Sequence, residues 1–243
     1  MDLADRVALV TGAGRRVGRA IALRLARAGC HVAVHYRSSA TEAEQTVAEC
    51  QAAGVSAVAM RADLEEAAAA AELVRQTTAR FGRLDVLVNN ASVFESLTLE
   101  EFSVAAWERT MRVNLTAPLL LVHAARHHLR RTRGRVVNIC DAASIRPGPD
   151  HLAYMVSKGA LETLTRALAR ALAPEVNVVG VAPGIVAWPD HYDQATRERL
   201  TKRIPLQRAG TPEEVAAVVE FLLRDGDYLT GIILPLDGGR HLQ

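Results

Sequence analysis

The stretch Val7-Ala-Leu-Val-Thr-Gly-Ala-Gly-Arg-Arg-Val-Gly18 decides how this chain folds. Its first four residues form a short apolar run that predicts a buried strand, and apolar residues recur at helical spacing from Val17 to Ala28. The glycines between the two segments permit a tight turn with positive φ. A strand that passes through such a turn into an amphipathic helix is the first part of a βαβ unit.

The same alternation of strand and helix continues along the chain, which predicts one α/β domain over residues 1–243. Further strands are predicted over Val32–His35, Ala57–Arg61, Val86–Asn89, Arg135–Cys140, Val176–Ala182 and Ile232–Leu236. Further helices are predicted over Glu42–Ala53, Glu65–Phe81, Ala105–Leu129, Tyr154–Leu172 and Pro212–Leu223. We therefore expect a Rossmann-type, doubly wound parallel sheet of about seven strands with helices on both faces.

One long stretch, from Gly184 to Pro205, shows no clear periodicity. It follows the sixth predicted strand, and in open α/β sheets ligands bind beyond the carboxyl ends of the strands. We therefore predict a substrate lid near residues 185–205. Its polar and aromatic side chains are Trp188, Asp190, His191 and Tyr192.

Composition narrows the class of protein. The chain has 29 Lys and Arg against 27 Asp and Glu, so its charge gives no reason to expect binding to nucleic acid or to a membrane surface. The basic run Arg126–Arg135 lies at a predicted helix end, where cations complement the helix dipole. Three cysteines without metal or disulfide spacing and no leader or long apolar run indicate a cytoplasmic protein. His123 and His127 lie four apart without a third ligand, so we predict no metal site.

The glycine-rich turn is suited to a dinucleotide, because Gly12 and Val17 lie where backbone amides and a helix N-terminus meet a diphosphate. The second strand ends His35-Tyr36-Arg37-Ser38-Ser39, without the acidic residue that usually binds the ribose of NAD. Arg37 and the serines, together with Arg15 or Arg16, favour a 2′-phosphate and hence NADPH. The alternative is that Arg37 is a solvated loop cation.

Tyr154 and Lys158 lie four apart on a predicted helix, so their side chains share a face. A phenol with a pKa near ~10 is a poor acid or base at neutral pH, and an adjacent ammonium favours its phenolate. The two residues are therefore candidates for acid-base catalysis.

Over its whole length the chain resembles the short-chain dehydrogenase/reductase family. The resemblance rests on the turn at Thr11–Gly18, Asp63-Leu64, Asn89-Asn90-Ala91, Asn114, Tyr154 with Lys158, Pro183-Gly184 and Leu236-Asp-Gly-Gly239. It implies that Asp63 binds adenine, that Lys158 also holds the nicotinamide ribose, and that Asn114 supports a water relay to Lys158. Further cofactor contacts are implied for Leu64, Asn90, Ala91, Ser92, Pro183, Gly184 and Val186. The family also implies a homotetramer.

Two residues that depart from the usual family pattern indicate one branch of the family. Most members of the family have glycine where this chain has Arg16, and serine where it has Asp141. Both changes, with Ser92, Phe94 and the ending Leu236-Asp-Gly-Gly-Arg-His-Leu242, resemble the pteridine reductases and the bacterial dihydromonapterin reductases. This branch implies NADPH-dependent reduction of a dihydropterin to a tetrahydropterin, with dihydrofolate as a further substrate.

The residues themselves give this branch a chemical basis. If Asp141 and Tyr154 are close, both cannot readily be anionic, so they share protons and supply an acid for a ring nitrogen. Phe94 is placed to stack on a flat heterocycle. Arg16, Ser92 and Trp188 complete the predicted substrate contacts. The alternatives are that Asp141 only caps a loop and that Phe94 is a core or lid residue.

Two other functions stay open from the sequence. The first is reduction of a ketone, such as a ketoacyl thioester, a sugar or a steroid-like compound, for which a carboxylate at position 141 is unfavourable beside a developing alkoxide. The second is a non-catalytic regulator that keeps the dinucleotide-binding fold, since fold alone does not establish function. The joint presence of Asn114, Tyr154 and Lys158 favours an enzyme.

Overall fold

A seven-stranded parallel sheet forms the centre of the protein. The computed structural model describes residues 1–188 and 192–242. The strands run in the order β3-β2-β1-β4-β5-β6-β7, and every neighbouring pair is parallel. They are β1 Val7–Val10, β2 His31–Tyr36, β3 Ala57–Arg61, β4 Val86–Asn89, β5 Arg135–Ile139, β6 Asn177–Pro183 and β7 Ile233–Leu236. The predicted Rossmann-type sheet is confirmed.

Helices cover both faces of the sheet, and this too agrees with the prediction. They are α1 Arg16–Arg27, α2 Ala40–Ala52, α3 Ala67–Phe81, α4 Val104–Met111, α5 Ala117–Thr132, α6 Leu152–Leu172, α7 Gln194–Thr201 and α8 Pro212–Arg224. Helices α1, α2 and α8 contribute to the apolar core on one face, and α3, α5 and α6 to the core on the other. All four residues of β1 are buried, as expected for a strand covered on both sides.

Two predicted elements differ from the structure. The helix predicted over Ala105–Leu129 is divided, because a π-helical turn over Arg112–Thr116 separates α4 from α5. Pro118 follows this turn and has no backbone N–H to donate to residue 114, so a regular helical ladder is interrupted here. Helix α7 lies within the stretch that showed no periodicity, and it has no buried residue among those described. Because α7 has no apolar face, its sequence shows no helical periodicity.

The carboxyl ends of the strands bring the predicted site residues to one edge of the sheet. Thr11 follows β1, Asn90 follows β4, and Gly184 follows β6. Asp141 begins the turn after β5 as the cap of a short 3₁₀ helix over Ala142–Ile145. Among the described helices, none is both long and apolar enough to cross a bilayer. The candidate site therefore lies at the sheet edge where open α/β proteins bind ligands.

Candidate active site

The turn after β1 requires glycine at two positions. Gly12 has φ +63°, and a Cβ there would lie 3.0 Å from the Cα of Ala91. A Cβ on Gly18 would lie 2.2 Å from the carbonyl oxygen of Gly12, which is closer than any real contact. The first turn of α1 contains no acidic residue. Its free amides and its dipole therefore favour an anionic group at the mouth of this turn.

His35 and Asn90 fix the shape of the glycine-rich turn through hydrogen bonds to its backbone. The buried ring of His35 accepts a hydrogen bond from the Gly12 N–H at Nδ1 over 3.1 Å, and its Nε2 lies 3.1 Å from the carbonyl oxygen of Ala62. Burial lowers the pKa of His35 to about 4, so the ring is neutral at pH 7 and Nε2 carries the proton. Asn90 Nδ2 donates to the carbonyl oxygen of Thr11 over 2.9 Å. Both side chains therefore stabilise the backbone of the glycine-rich turn.

Arg16 keeps a backbone conformation that normally belongs to glycine. Its φ is +51°, in the left-handed region, although it begins helix α1. A non-glycine residue there costs roughly 1–3 kcal/mol and persists where the surrounding structure enforces it. Such strain is typical of functional positions, and it coincides with the first of the two departures from the family pattern.

Arg37, which follows β2, already forms an ion pair. Arg37 Nη1 donates to Glu65 Oε1 over 3.2 Å, and Arg15 lies 3.9 Å from the carboxylate of Glu42. Ser39 lies beneath the glycine-rich turn, since a Cβ on Gly14 would come within 2.8 Å of its hydroxyl oxygen. Sequence reasoning did not identify Glu65. Its only signal was its place two residues after Asp63, whose Oδ1 accepts the Glu65 N–H over 3.0 Å.

Tyr154 and Asp141 lie in direct contact. The Tyr154 hydroxyl donates to Asp141 Oδ2 over 2.7 Å, while Asp141 Oδ1 accepts the Ala143 N–H over 2.8 Å. The second bond caps the 3₁₀ helix and fixes the carboxylate toward the phenol. The pKa of Tyr154 is raised well above its usual value, first by burial and then by the charge and the hydrogen bond of Asp141. The pair therefore retains a proton on Tyr154 at neutral pH.

Lys158 lies beside this pair and makes its hydrogen bond to the backbone. Its Nζ donates to the carbonyl oxygen of Ile139 over 2.8 Å and lies 5.6 Å from the centre of the Tyr154 ring. Burial lowers the pKa of Lys158. The expectation that this ammonium lowers the pKa of Tyr154 is wrong for this arrangement, because the Asp141 carboxylate contacts the phenol directly and burial disfavours phenolate.

Asn114 connects the π-helical turn to the loop after β4. Its Oδ1 accepts the Val93 N–H over 2.8 Å, and its Nδ2 donates to the Val93 carbonyl oxygen over 2.9 Å and to Ser157 Oγ over 3.0 Å. These bonds fix the backbone between Ser92 and Phe94. The structure therefore gives Asn114 a positioning role, and its predicted water relay to Lys158 stays a prediction.

Phe94 packs directly on Tyr154. Its ring lies edge-on to Tyr154 at 4.7 Å and stacks on His151 at 4.3 Å between ring centres. The Phe94 side chain is 44% exposed, so it is a rim residue rather than part of the core. Sequence reasoning did not identify His151 as its partner.

The remaining predicted contacts are distributed around the sheet edge. Trp188 lies apart from the Asp141 pair, in a shallow cavity of about 380 Å³ that it forms with α7, with its ring 5.9 Å from the Arg197 guanidinium. Asp190 and His191 lie outside the described residues. Of the other residues predicted at the cofactor, Val17 lies in the first turn of α1, and the rest end a strand or follow one within three residues: Tyr36, Ser38, Leu64, Ala91, Pro183, Gly184 and Val186.

Comparison with known proteins agrees with this geometry. The family model described as enoyl-(acyl carrier protein) reductase matches residues 12–241. A 3-oxoacyl-(acyl-carrier-protein) reductase from Synechocystis sp. is 37% identical over 98% of this chain and 97% of its own length. A blue fluorescent protein from a metagenomic library, solved in complex with NADPH, is 35% identical with a TM-score of 0.93, covering 99% of both chains.

A solved variant of a Serratia marcescens short-chain dehydrogenase/reductase is also 35% identical, with a TM-score of 0.92 over 99% of this chain and 100% of its own. None of these names refers to a pterin, so the pteridine reductase branch expected from the sequence stays a prediction. The fold is shared with the solved structures. The chain belongs to the short-chain dehydrogenase/reductase family of NAD(P)-dependent oxidoreductases.

Proposed function

We propose that this protein reduces a carbon-nitrogen double bond in a dihydropterin, with NADPH as the hydride donor. The observation that carries the proposal is the 2.7 Å hydrogen bond from Tyr154 to Asp141. It puts a carboxylate beside the catalytic phenol, where most members of the family have a serine hydroxyl.

A carboxylate at this position suits a nitrogen heterocycle better than a ketone. A ketone develops negative charge on oxygen as hydride reaches its carbon, and the Asp141 carboxylate would repel that charge. A pterin instead presents ring N–H and amino groups, from which a carboxylate accepts hydrogen bonds. The charge of Asp141 therefore favours the pterin over the ketone.

The proton balance of the reaction also fits the pair. Hydride adds to the ring carbon, the electron pair of the C=N bond moves to nitrogen, and nitrogen takes one proton. The Tyr154 hydroxyl keeps its proton beside Asp141, so the pair holds a proton that passes to nitrogen, and solvent restores it. Lys158 fixes the end of β5 through the carbonyl oxygen of Ile139 and supplies positive charge beside the pair.

The residues at the sheet edge fit NADPH. The glycines of the first turn leave no space for a side chain, and the α1 N-terminus favours the diphosphate. Arg37, Ser38 and Ser39 would hold the 2′-phosphate, Asp63 and Leu64 the adenine, and Lys158 the nicotinamide ribose. The remaining cofactor contacts would come from Arg15, Asn90, Ala91, Pro183, Gly184 and Val186. When bound, the cofactor supplies the hydride.

Substrate contacts follow from the same geometry. Phe94 offers a partly exposed aromatic ring beside Tyr154, and aromatic rings stack on flat heterocycles. Ser92 lies on the same loop, which Asn114 fixes, and Arg16 begins α1 at its strained position. Trp188 would reach the substrate only if the segment near residues 185–205 closes over the site as a lid.

Reduction of a 3-oxoacyl thioester is the second candidate. It is favoured by the name of the Synechocystis relative, and on the basis of names alone it is better supported than pterin reduction. In that reaction Tyr154 would have to release its bond to Asp141 in order to donate to the substrate oxygen. We also propose, from the family resemblance, a single-domain protein that acts as a cytoplasmic homotetramer.

One assay separates the two candidates. NADPH absorbance is followed with dihydrobiopterin, dihydromonapterin, dihydrofolate and acetoacetyl-coenzyme A offered in parallel to the native protein and to the Asp141→Asn and Asp141→Ser variants. We expect turnover of the pterins, and a loss of about 10²–10⁴-fold in both variants with unchanged NADPH affinity. Turnover confined to the thioester, or increased by Asp141→Ser, would establish the second candidate instead.

A further inference from the structure

A second cavity adjoins the catalytic pair. It has a volume of about 310 Å³ and opens between the 3₁₀ helix over Ala142–Ile145 and a C-terminal 3₁₀ turn over Arg240–Leu242. Gly184, at the end of β6, and Asp237 form part of its wall. The cavity is therefore at the same edge of the sheet as Tyr154, beside the helix that Asp141 caps.

The lining of this cavity is basic. Arg146, Arg203 and Arg240 border it, and Asp237 is its only acidic residue among those described. The Asp237 carboxylate already has hydrogen-bond partners. Its oxygens accept the Gly239 N–H over 3.0 Å and the His241 N–H over 2.6 Å, and Nδ1 of the His241 ring lies 3.0 Å from both oxygens. This carboxylate therefore holds the turn in place and pairs with none of the three arginines, which leaves the lining with a net positive charge.

The three guanidinium groups have no partner of their own. Within residues 1–188 and 192–242, none of them makes a side-chain hydrogen bond or an ion pair. Elsewhere arginines pair readily, as Arg19 does with Glu49 and Arg75 with Glu72. Three unpaired arginines around one concave space produce a positive potential that attracts an anion.

The cavity shares a wall with the reaction site. Ala142 and Ala143 line it, and the Ala143 N–H donates to Asp141 Oδ1 over 2.8 Å. A substrate whose ring contacts Asp141 and Tyr154 would therefore reach the cavity with a flexible tail. A guanidinium group binds carboxylate and phosphate oxygens through paired N–H donors, so the tail should end in one of these groups.

We propose that the cavity bordered by Arg146, Arg203 and Arg240 binds a carboxylate or phosphate group carried on the tail of the substrate. This inference rests on the proposed function and extends it, because it predicts a preference for substrates with an anionic tail. Dihydrofolate, which carries carboxylates, would bind better than dihydrobiopterin, which has the same reacting ring and a neutral side chain.

The test uses pairs of substrates that differ in the tail and share the reacting group. One pair is dihydrofolate and dihydrobiopterin, and the other is acetoacetyl-coenzyme A and the acetoacetyl thioester of N-acetylcysteamine. Each is assayed with the native protein, with Arg146→Gln and Arg240→Gln, and with Arg75→Gln, an exposed arginine on α3, as the matched control. We expect each cavity variant to raise KM for the charged member about tenfold and to leave the neutral member unchanged.

The two pairs separate failure of this inference from failure of the proposed function. If only the thioesters are turned over, the reaction is reduction of a 3-oxoacyl thioester. The two thioesters then still test whether an anionic tail improves binding. Calorimetric titration of folate and of coenzyme A into the NADPH-bound protein repeats the comparison without turnover. Equal effects on both members of a pair, native-like titrations of the cavity variants, or no binding of either anion to the native protein would overturn the inference.

Discussion

Arg37 and Glu65 form an ion pair across the carboxyl ends of β2 and β3, with 3.2 Å between Nη1 and Oε1. The Arg37 side chain is 54% exposed and that of Glu65 is 28% exposed, so water screens the attraction. An exposed pair of this kind contributes little stability and exchanges easily for a stronger partner. Arg37 is thus kept near a position where a 2′-phosphate would displace the carboxylate.

Replacing Arg37 with Gln should weaken NADPH binding selectively. The guanidinium would meet the 2′-phosphate, which NADH lacks, so we expect KM for NADPH to rise about tenfold while KM for NADH changes little. Steady-state rates with both cofactors give the comparison, with Arg75→Gln as a control for general loss of positive charge. Equal increases for the two cofactors would show that Arg37 is only a solvated cation.

Replacing Glu65 with Gln should have the opposite effect. The substitution removes the charge that competes with a phosphate for Arg37, and it keeps the backbone N–H that donates to Asp63. We expect a lower KM for NADPH, and a KM for NADH that is unchanged within a factor of about two. The effect should diminish in high salt, because the competing charges are exposed. An increase in KM for NADPH would mean that Glu65 supports the cofactor rather than competing with it.

The fold was predictable because the chain repeats one simple pattern. Short apolar strands such as Val86–Asn89 and amphipathic helices such as Pro212–Arg224 have different periods, and the structure places both where the pattern indicated. The π-helical turn at Arg112–Thr116 was not predicted, because Pro118 marks an interruption of the helical ladder in the sequence but not the geometry of the turn. Helix α7 lacks the apolar face on which periodicity depends.

The sequence indicated which residues form the site, but not how they interact. Sequence reasoning made the proton-sharing pair conditional on Asp141 lying close to Tyr154, and the structure shows them in contact at 2.7 Å. It predicted the wrong direction for the pKa of Tyr154, because that direction depends on burial and on which charge lies nearer. Nor did it identify Glu65 as a partner of Arg37, since the two are brought together only by the pairing of β2 with β3.

Replacing Gly18 with Ala should damage the cofactor site. A Cβ at this position would lie 2.2 Å from the Gly12 carbonyl oxygen, a backbone atom that cannot move without distorting the turn. We expect NADPH affinity to fall at least tenfold, by fluorescence titration, with reduced thermal stability. Gly159→Ala is the matched control, because a Cβ there meets nothing within 4 Å in the middle of α6. That variant should be as stable as the native protein or more so; similar losses in both would contradict the steric argument.

His35 should make the protein sensitive to mild acid. Its pKa is about 4 in the folded protein and 6.5 when unperturbed, so the unfolded chain binds the extra proton first as pH falls. Folding stability is therefore highest above the unperturbed pKa and is lost as pH falls toward 4, by about 2 kcal/mol between pH 7 and pH 5. Urea unfolding of the native protein and of His35→Asn at both values measures this term, which the variant should lose.

Protonation of His35 in the folded protein, which occurs near its pKa of about 4, should also weaken the cofactor site. A protonated Nδ1 can no longer accept the Gly12 N–H, so the turn loses the bond that sets its shape. We expect NADPH affinity of the native protein to fall between pH 5 and pH 4, where the folded protein takes up a proton at His35, more steeply than that of His35→Asn, in which an amide oxygen can accept the same N–H at either pH. His123→Asn, at an exposed position on α5, should behave like the native protein. If His35→Asn keeps the full pH dependence of both stability and NADPH affinity, another group is responsible, and the ring of His35 is not the element that couples acid to the glycine-rich turn.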